Sequence, residues 1–449
     1  MPDCASRTLL IGLGRLADAT GEALEAAGHV VLRLGEPGDP ELRQALDGPV
    51  ARVVVVSRFD HVSLRQALLV VHLRPDLPVL VTIFDRDVAA ELERASSRVH
   101  VLSMADVVAP AFAASCLDPQ LLSVVRTRGG VQGVRLVDGR PTCVAATWST
   151  PGRHRRGLAV GEALLRPFEP SARILVWGLM ALAAVFAAEV LLATVVKDQA
   201  FAEAVYAVAK VTVTVGPSSV ADEAAGWYKL VSAAAMLLTV AFIALVTAGL
   251  VERLLDARLT GIVGRSAVPR RGHVIVVGLG QVGLRLCSLL RDLGIPVVAV
   301  EQNAEAKNVP RAKDQRIPVV IGSGSSRRLL RRLSVQRARA LAAVTSDEIE
   351  NIAVAVAARS VRADLHLTFR AGDGRLTSDS RSLFHVGAVR DVYRLAGAAL
   401  AAVAAGQDVE GAFAADGRLF GVDGLGRIAP LDAPPAAGVP GVGALSAGP

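Results

Sequence analysis

The chain has 449 residues, of which 52% are hydrophobic and 20% are charged, and its formal net charge is +7. This length leaves room for about three domains, and the apolar content predicts membrane-spanning segments beside large soluble parts. The four cysteines show no Cys-x-x-Cys or Cys/His spacing, which argues against a disulfide framework or a zinc site. We therefore expect no metal site. The arginine clusters adjoin two long apolar runs, so nucleic acid is not an expected partner.

The first 150 residues alternate short apolar runs with helical segments, which is typical of a parallel sheet with helices on both faces. Gly12, Gly14 and Ala17 form the G-x-G-x-x-A pattern of a dinucleotide fold. The second run ends without an acid at its tip, so we predict a degenerate Rossmann-like domain, residues 1–150, that binds no nucleotide. Strands are predicted at 29–34, 52–57 and 78–84, helices at 64–73 and 87–95, and a β-hairpin at 131–144 with Asp138-Gly139 as its turn.

Two long apolar runs follow a Pro-, Gly- and Arg-rich linker at 151–172. The run 174–196 has Glu189 as its only charge, and the run 230–251 has none. Each can cross a bilayer, which takes about 20 apolar residues in a helix; a buried helical hairpin in a soluble core is the alternative. The flanking arginines place both termini in the cytoplasm of a two-pass cell-membrane protein. The membrane module is predicted at 173–256, with Glu189 paired to Lys210.

The segment between the two runs predicts a short helix at 201–211, about 16 Å long at 1.5 Å per residue. An extended, β-branched stretch follows it. Helix, half-helix, extended segment and helix together are the plan of a two-span cation pore. The stretch resembles the pore signature of the potassium-channel superfamily, in which a short helix runs into Thr-Val-Gly-Tyr-Gly-Asp: Thr214, Val215 and Gly216 match, whereas Pro217 and Ser218 replace Tyr and Gly. The resemblance implies a homotetramer that conducts potassium or another monovalent cation along Thr212, Val213, Thr214, Val215, Gly216 and Pro217.

The second soluble domain, residues 270–425, opens with a strand at 273–277 that runs into Gly278-x-Gly280-x-x-Gly283 and a helix. The next strand, 296–300, ends in Glu301, near the spacing expected for the ribose-binding acid of a dinucleotide site. Phosphates would lie on the helix N-terminus, and Glu301 would favour NAD over NADP. The candidate cofactor-binding residues are Gly278, Gly280, Gln281, Val282, Gly283, Glu301, Gln302, Gly322, Ser323, Thr345 and Ser346.

The order of these pieces resembles the regulator-of-potassium-conductance (RCK) domain, which also occurs in Trk-type uptake regulators. In that family a glycine fingerprint, an acid after the second strand, a Gly-Asp pair after the third and a Thr-x-Asp-Asp/Glu-x-x-Asn segment after the fourth surround a nucleotide. Glu301 and residues 345–351 match this pattern, and Ser323 replaces the family's Asp. The resemblance implies NAD or NADH as the cofactor, with ATP or ADP as the alternative.

The two soluble domains are also copies of one pattern. The glycine loops at Gly12 and Gly278 are 266 residues apart, whereas Ala51 and Ala338, which open the matching Ala-Arg pairs, are 287 apart, so the first copy is shorter by 21 residues. The missing part covers the segment that holds Gly322 and Ser323. The hairpin recurs too, at an offset of 278. The Pro-, Ala- and Gly-rich end, 426–449, is predicted to be a disordered tail.

Together these patterns predict an α/β protein with membrane α-helices, in which two Rossmann-like RCK domains flank a two-helix pore-like module. The function that they favour is a nucleotide-regulated monovalent cation (potassium-like) channel of the inner membrane. The alternative is a non-conducting, membrane-anchored sensor of NAD or adenine nucleotides that regulates potassium transport, as the changed Pro217-Ser218 segment suggests. An NAD-dependent oxidoreductase is disfavoured because no substrate domain offers a His or Lys acid/base candidate, so we expect no enzyme activity.

Overall fold

The computed structural model describes residues 7–127, 130–145, 170–212, 226–259, 262–263, 269, 271–372 and 387–431. The chain divides into two compact units. One consists of Met1–Pro151 together with Val263–Pro449, and the other is Gly152–Ile262. The first unit therefore combines both predicted soluble domains, and the second contains the predicted membrane module.

The first half of the soluble unit contains the predicted parallel sheet, which has five strands in the order β2-β1-β3-β4-β5. The strands are β1 (Arg7–Ile11), β2 (Val30–Leu34), β3 (Arg52–Val55), β4 (Val79–Thr82) and β5 (Val99–Leu102). The helices are α1 (Arg15–Ala26), α2 (Asp39–Leu46), α3 (Asp60–Leu73), α4 (Arg86–Ala95) and α5 (Met104–Leu117). Helix α2 escaped prediction because only Leu42 and Leu46 are buried on it, which is too short an apolar pattern to detect.

A small antiparallel sheet follows, made of β6 (Leu121–Thr127), β7 (Gly130–Val137) and β8 (Arg140–Ala145). The predicted hairpin is confirmed in β7 and β8, and its turn residues Asp138 and Gly139 have φ of 50° and 71°. Positive φ at both central residues is what a tight two-residue hairpin turn requires. Strand β6 adds a third strand that the sequence pattern did not indicate.

The second unit contains α6 (Pro170–Lys197), α7 (Phe201–Thr212) and α8 (Gly226–Leu259). By length and composition, Trp177–Val196 in α6 and Gly226–Ala248 in α8 could each cross a membrane. The two helices pack closely at Gly178, where a Cβ would lie 3.1 Å from Val246 Cγ2. Outward apolar side chains such as Trp177 and Leu237 remain exposed, 65% and 74% respectively, and therefore need an apolar surrounding.

Helix α7 is the predicted short helix, and it packs on α6 through a small apolar cluster formed by Val190, Ala193, Ala204 and Val208. The predicted ion pair between Glu189 and Lys210 is not formed: Lys210 is exposed, and in the described part of the chain no ion pair or hydrogen bond joins the two side chains. The sequence suggested this pair because both residues lie toward the outer side and neither has another obvious partner. Neither reason sets the distance between the two side chains. Of the predicted pore residues, Thr212 is the last residue of α7, and Val213, Thr214, Val215, Gly216 and Pro217 lie outside the described residues.

The second half of the soluble unit contains a larger sheet in the order β15-β14-β13-β10-β11-β12-β9, in which the strands from β15 to β12 are parallel. Its strands are β9 (Ile262–Val263), β10 (Val274–Val277), β11 (Val297–Glu301), β12 (Val319–Ile321), β13 (Ala340–Ala343), β14 (His366–Ala371) and β15 (Ala388–Asp391). Its helices are α9 (Gln281–Asp292), α10 (Asn308–Asp314), α11 (Arg327–Arg332), α12 (Glu348–Arg359) and α13 (Val392–Ala404). An antiparallel sheet of β16 (Gly411–Ala415), β17 (Arg418–Val422) and β18 (Ile428–Pro430) ends the described chain.

Strand order bears out the internal repeat. In each half the first strand lies between the second strand and the strand that follows the Ala-Arg pair. Strand β12 pairs with β11 in the second half, whereas β2 is the edge strand of the first sheet. The first copy therefore lacks the strand before Gly322 and Ser323, as the change of offset predicts.

The two halves share one hydrophobic core, in which Phe112 and Leu121 of the first half lie in the same cluster as Val276, Leu286 and Val392 of the second. Helix α5 packs on α9, and α13 packs on α1. The second contact is tight, because a Cβ at Gly397 would lie 2.7 Å from the carbonyl carbon of Ala19. The N-terminal and C-terminal domains are thus one packed body despite the membrane module between them in sequence.

The structure extends past the predicted domain boundary at 425. Strand β18 pairs with β17, and Leu431 N–H donates to Leu419 O at 2.9 Å. Ile428 and Leu431 pack against the hydrophobic clusters of this region. The sequence did not reveal this strand because the Pro-, Ala- and Gly-rich residues that follow it dominate the composition of the segment. Residues 432–449 of the predicted tail lie outside the described residues.

Candidate nucleotide-binding site

The predicted glycine loop joins β10 to α9, and each of its three glycines meets a different demand. Gly278 has φ of 95° and approaches the next strand end so closely that a Cβ would lie 2.8 Å from Thr345 N. A Cβ at Gly283 would lie 1.9 Å from the Gly278 carbonyl oxygen. At Gly280, by contrast, a Cβ would meet nothing within 4 Å. The loop is therefore tight at both ends and open in the middle, as a pyrophosphate-binding turn must be.

Helix α9 begins at the open side of this loop. Gly280 is its N-cap and makes no side-chain cap hydrogen bond, so the first-turn N–H groups have no capping side chain as partner. Val282 anchors this turn in the core, where it is only 1% exposed. The amide groups and the positive end of the helix dipole together make an anion-binding position.

Glu301 ends β11 and points at the glycine loop. Its Oε2 accepts a hydrogen bond from Leu279 N–H at 2.8 Å. Its Oε1 accepts from Gln302 N–H at 2.9 Å and from Asn303 N–H at 3.1 Å. The carboxylate is thus oriented by three backbone amides at the place where the sequence predicts the ribose of a nucleotide.

Two further contacts fix the surroundings of Glu301. Buried Asn308 donates from Nδ2 to Leu279 O at 3.0 Å, and this hydrogen bond ties the glycine loop to the start of α10. Gly322 N–H donates to Glu301 O at 2.8 Å and so places the end of β12 beside Glu301. The following Ser323 shares a 2.9 Å hydrogen bond with Ser325 through their hydroxyl groups.

Asn351 organises the loop after β13. Its side chain is fully buried, and its Oδ1 accepts from Thr345 N–H at 3.0 Å and from Thr345 Oγ1 at 2.9 Å. Its Nδ2 donates to Thr345 O and to Arg370 O, both at 3.1 Å. Asp347 then caps α12 by accepting from Ile349 N–H at 2.9 Å. Thr345 is thereby held against Gly278.

The structure brings most of the predicted residues to one edge of the sheet, at the carboxyl ends of the adjacent strands β10, β11, β12 and β13. Gln302 and Ser346 are exposed there. The side chain of Gln281 turns instead to the first half, where its Nε2 donates to Arg58 O at 3.2 Å. Sequence reasoning missed Asn308 and the Leu279 amide, for which no local pattern gives a signal. In the described part of the chain, no group of three His, Cys, Asp or Glu side chains is placed to hold a metal ion.

The glycine loop of the first half has a different environment. No acid ends β2, and Leu13 is 67% exposed whereas its counterpart Leu279 is 1% exposed. A Cβ at Gly35 would lie 2.9 Å from Leu13 Cδ2, so the Leu13 side chain lies over the end of β2, where the second half has Glu301. An apolar side chain thus covers the end of β2, whereas the second half has the Glu301 carboxylate at the matching strand end.

Charged side chains join the loop after β4 in the first half to the helices around the second glycine loop. Arg285 on α9 pairs with Asp106 at 2.8 Å and donates to Phe84 O at 3.1 Å. Burial lowers the pKa of Arg285, and the Asp106 carboxylate opposes this shift. Arg311 on α10 pairs with Asp85. These contacts fix the first half beside the candidate site.

The family model and a sequence relative support the predicted resemblance. Residues 274–381 match the family model of the TrkA-N domain. Potassium channel protein 1 of Methanocaldococcus jannaschii is 23% identical over 139 residues, which are 30% of this chain and 41% of the length of that relative. Solved structures of the GsuK channel, alone and bound to NAD, are 14% and 12% identical, with TM-scores of 0.49 and 0.46, and each comparison covers 90% of this chain and 64% of the other.

The chain thus combines a TrkA-N-like Rossmann domain with two apolar helices that are long enough to span a membrane. The predicted resemblance to a two-span potassium-channel protein with RCK domains is confirmed, as are the parallel α/β sheets of the predicted fold class.

Proposed function

We propose that this protein is a nucleotide-regulated monovalent cation channel, selective for potassium or a similar ion, that is gated by its RCK-type domains. One observation carries the proposal: an open glycine loop, faced by Glu301 and Thr345, lies in a TrkA-N-like domain of the same chain that holds two exposed apolar helices. The similarity to a curated potassium channel supports the choice of ion.

The proposed ligand is NAD or NADH, with ATP or ADP as the alternative. Its phosphates would accept hydrogen bonds from the first-turn amides of α9, and its ribose would donate to Glu301. A carboxylate at this place would repel the extra 2′-phosphate of NADP, which favours NAD. We propose that the nucleotide is a regulatory ligand and that the protein is not an enzyme.

Gating would follow from a difference in nucleotide affinity between two states of the soluble unit. A ligand shifts such an equilibrium only by as much as it prefers one state. The covalent connection from α8 through β9 to β10 is the route by which a rearrangement would pull on the second span. We further propose a homotetramer in the cell membrane, with both termini in the cytoplasm as the flanking arginines indicate.

A second candidate is a membrane-anchored sensor that does not conduct and regulates potassium transport. The sequence feature that favours it is Pro217-Ser218, which stands where the potassium-channel family has Tyr-Gly. Proline fixes φ and removes a donor, and serine resists backbone angles that glycine tolerates. A filter that aims carbonyl oxygens at an ion depends on those angles.

Ion flux into proteoliposomes that contain the purified protein tests the proposal, with potassium or sodium and with or without NAD, NADH or ATP. Gly280→Asp places a carboxylate at the phosphate position without a steric clash, since a Cβ there meets nothing within 4 Å. The matched control is Gly38→Asp at the N-cap of α2, where Asp is a favoured residue.

We expect flux that responds to nucleotide in the wild type and in Gly38→Asp, and a loss of that response in Gly280→Asp. Absence of flux under every condition, with nucleotide binding intact, would contradict the channel and leave the non-conducting sensor. Flux without nucleotide binding would contradict the regulatory role of the glycine loop.

A further inference from the structure

We propose that Arg58, in the half of the soluble unit that has no nucleotide site of its own, binds the phosphates of the nucleotide held by the other half. The inference rests on the proposed nucleotide site at Gly278–Gly283 and assigns it a further ligand-binding residue. The first half would then complete the site of the second.

The position of Arg58 is given by one hydrogen bond. Gln281 Nε2 donates to Arg58 O at 3.2 Å, and Gln281 is the first residue of α9. The Gln281 side chain therefore joins the backbone of Arg58 to the helix turn on which a phosphate would lie. The Arg58 guanidinium is carried on a flexible apolar stem, and a planar fork of donors suits phosphate oxygens.

The loop that carries Arg58 is fixed by its own hydrogen bonds. Ser57 N–H donates to Thr82 Oγ1 at 2.9 Å, and Phe59 N–H donates to Ser57 Oγ at 3.1 Å. Asp60 accepts from Phe84 N–H at 3.0 Å and from Asp85 N–H at 3.1 Å. The backbone at Arg58 is thus held in place before a ligand arrives, which reduces the entropy lost on binding.

Charge around Arg58 favours an anion. The Asp60 carboxylate is engaged by two backbone amides, Asp85 pairs with Arg311, and Asp106 pairs with Arg86 and Arg285. The Arg58 guanidinium is exposed and lies 4.8 Å from the centroid of the Phe59 ring. Across the described ranges no carboxylate forms an ion pair with it. Its positive charge is therefore left for a ligand beside the positive end of α9.

The internal repeat gives Arg58 a counterpart. The offset of 287 residues that relates Ala51 to Ala338 places Arg58 at the position of Thr345. Thr345 faces the glycine loop of its own half, where a Cβ at Gly278 would lie 2.8 Å from its amide nitrogen. In the first half the same loop position is occupied by Arg58, and the Arg58 carbonyl accepts a hydrogen bond from Gln281 at the start of α9. The first copy has lost its site and gained a charge that suits the neighbouring one.

Binding of ADP and of adenosine to the full-length protein in detergent tests this inference, by isothermal titration calorimetry of wild type, Arg58→Gln and Arg58→Lys. Arg65→Gln is the matched control, because it removes the same charge from α3 of the same half, where Arg65 pairs with Asp39 at the surface. Adenosine lacks phosphate, so a phosphate contact predicts an effect on ADP alone.

We expect Arg58→Gln to weaken ADP binding about tenfold, as loss of a charged hydrogen bond does, and to leave adenosine binding unchanged. Arg58→Lys should recover part of the loss, and Arg65→Gln should match the wild type. If Arg58→Gln binds ADP as tightly as the wild type, or loses as much affinity for adenosine as for ADP, the proposed role of Arg58 is overturned and the proposed nucleotide site is not. Failure of the wild type to bind ADP or NAD overturns the proposed nucleotide site and this inference with it.

Discussion

Asn351 shows how much of the candidate site depends on one side chain. It is buried and satisfies both the N–H and the C=O of Thr345, together with the C=O of Arg370. Asn351→Ala removes all these partners at once and leaves buried backbone groups unpaired, which costs about 1–3 kcal/mol each where water does not replace the lost bond. We expect a lower melting temperature and weaker ADP binding, measured by calorimetry.

Asn303→Ala is the control for this prediction. Asn303 is exposed, and among the described residues its side chain accepts one hydrogen bond, from Glu305 N–H at 2.9 Å, so its loss should change the melting temperature little. Equal melting temperatures of Asn351→Ala and the wild type would show that the loop after β13 does not depend on this amide.

At the residue scale the sequence predicted the groups that a nucleotide fingerprint requires, because Gly278, Gly283 and Glu301 act through local geometry. Spacing along one strand and one helix is enough to identify them. The sequence pattern gave no signal for Asn308, because this residue begins α10 and its hydrogen bond to Leu279 O joins two separate elements. Nor did it pair Gln281 with Arg58, because 223 residues separate them in sequence.

At the element scale the two helix contacts between the halves are unlike each other. Helix α13 meets α1 at Gly397, where the backbones of the two helices nearly touch. Helix α5 meets α9 with the Arg285–Asp106 pair beside the contact. The helix that starts at the proposed phosphate position is therefore joined to the first half partly by charge, whereas the other pair is joined by a close backbone approach.

Gly397→Val tests the close contact. A Cβ at this position would lie 2.7 Å from the Ala19 carbonyl carbon, so α13 and α1 must separate. Overpacking of this kind costs about 1–3 kcal/mol, and we expect a lower melting temperature in differential scanning calorimetry. Gly48→Val is the control, because a Cβ there lies 3.5 Å from its nearest neighbour, Ala45 O, which is ordinary van der Waals contact. A Gly397→Val protein as stable as this control would contradict a rigid contact.

Many strands and helices were predictable at this scale because their apolar runs are bounded by glycine turns, although β6 gave no such signal. Helix α2 and strand β18 were not, since α2 buries only Leu42 and Leu46, and β18 has two half-buried side chains and one exposed side chain. The first copy has no counterpart of β12, and only the internal repeat predicted this. The change of offset located the missing segment after the second strand, and β2 is accordingly the edge strand of the first sheet.

At the scale of the whole molecule, the chain interrupts one folded body with a membrane module. The sequence indicated two separate domains because the repeat is visible as two copies on either side of the apolar runs. The structure buries Phe112 and Leu121 of the first copy in one cluster with Leu286 and Val392 of the second. No local pattern reports a contact between residues so far apart, so the pairing of the copies could not be derived from periodicity.

The shared core predicts that the two copies unfold together and do not need the membrane module to fold. Replacement of residues 152–262 by a Gly/Ser linker of about 30 residues, which spans roughly 30 Å on average, should give a soluble protein. We expect it to bind ADP as the full-length protein does and to show a single calorimetric transition, because α5 and α9 bury their apolar faces against each other.

A fragment that starts at residue 269 and ends at 431 is the matched comparison. It keeps the glycine loop, Glu301 and Asn351 but exposes the faces of α9 and α13 that pack on α5 and α1. Exposed apolar surface of this kind favours aggregation, so the fragment should melt at a lower temperature than the linked protein. Two separate transitions in the linked protein, or a monomeric fragment of equal stability, would show instead that each copy folds independently and that the first copy is not needed to support the site of the second.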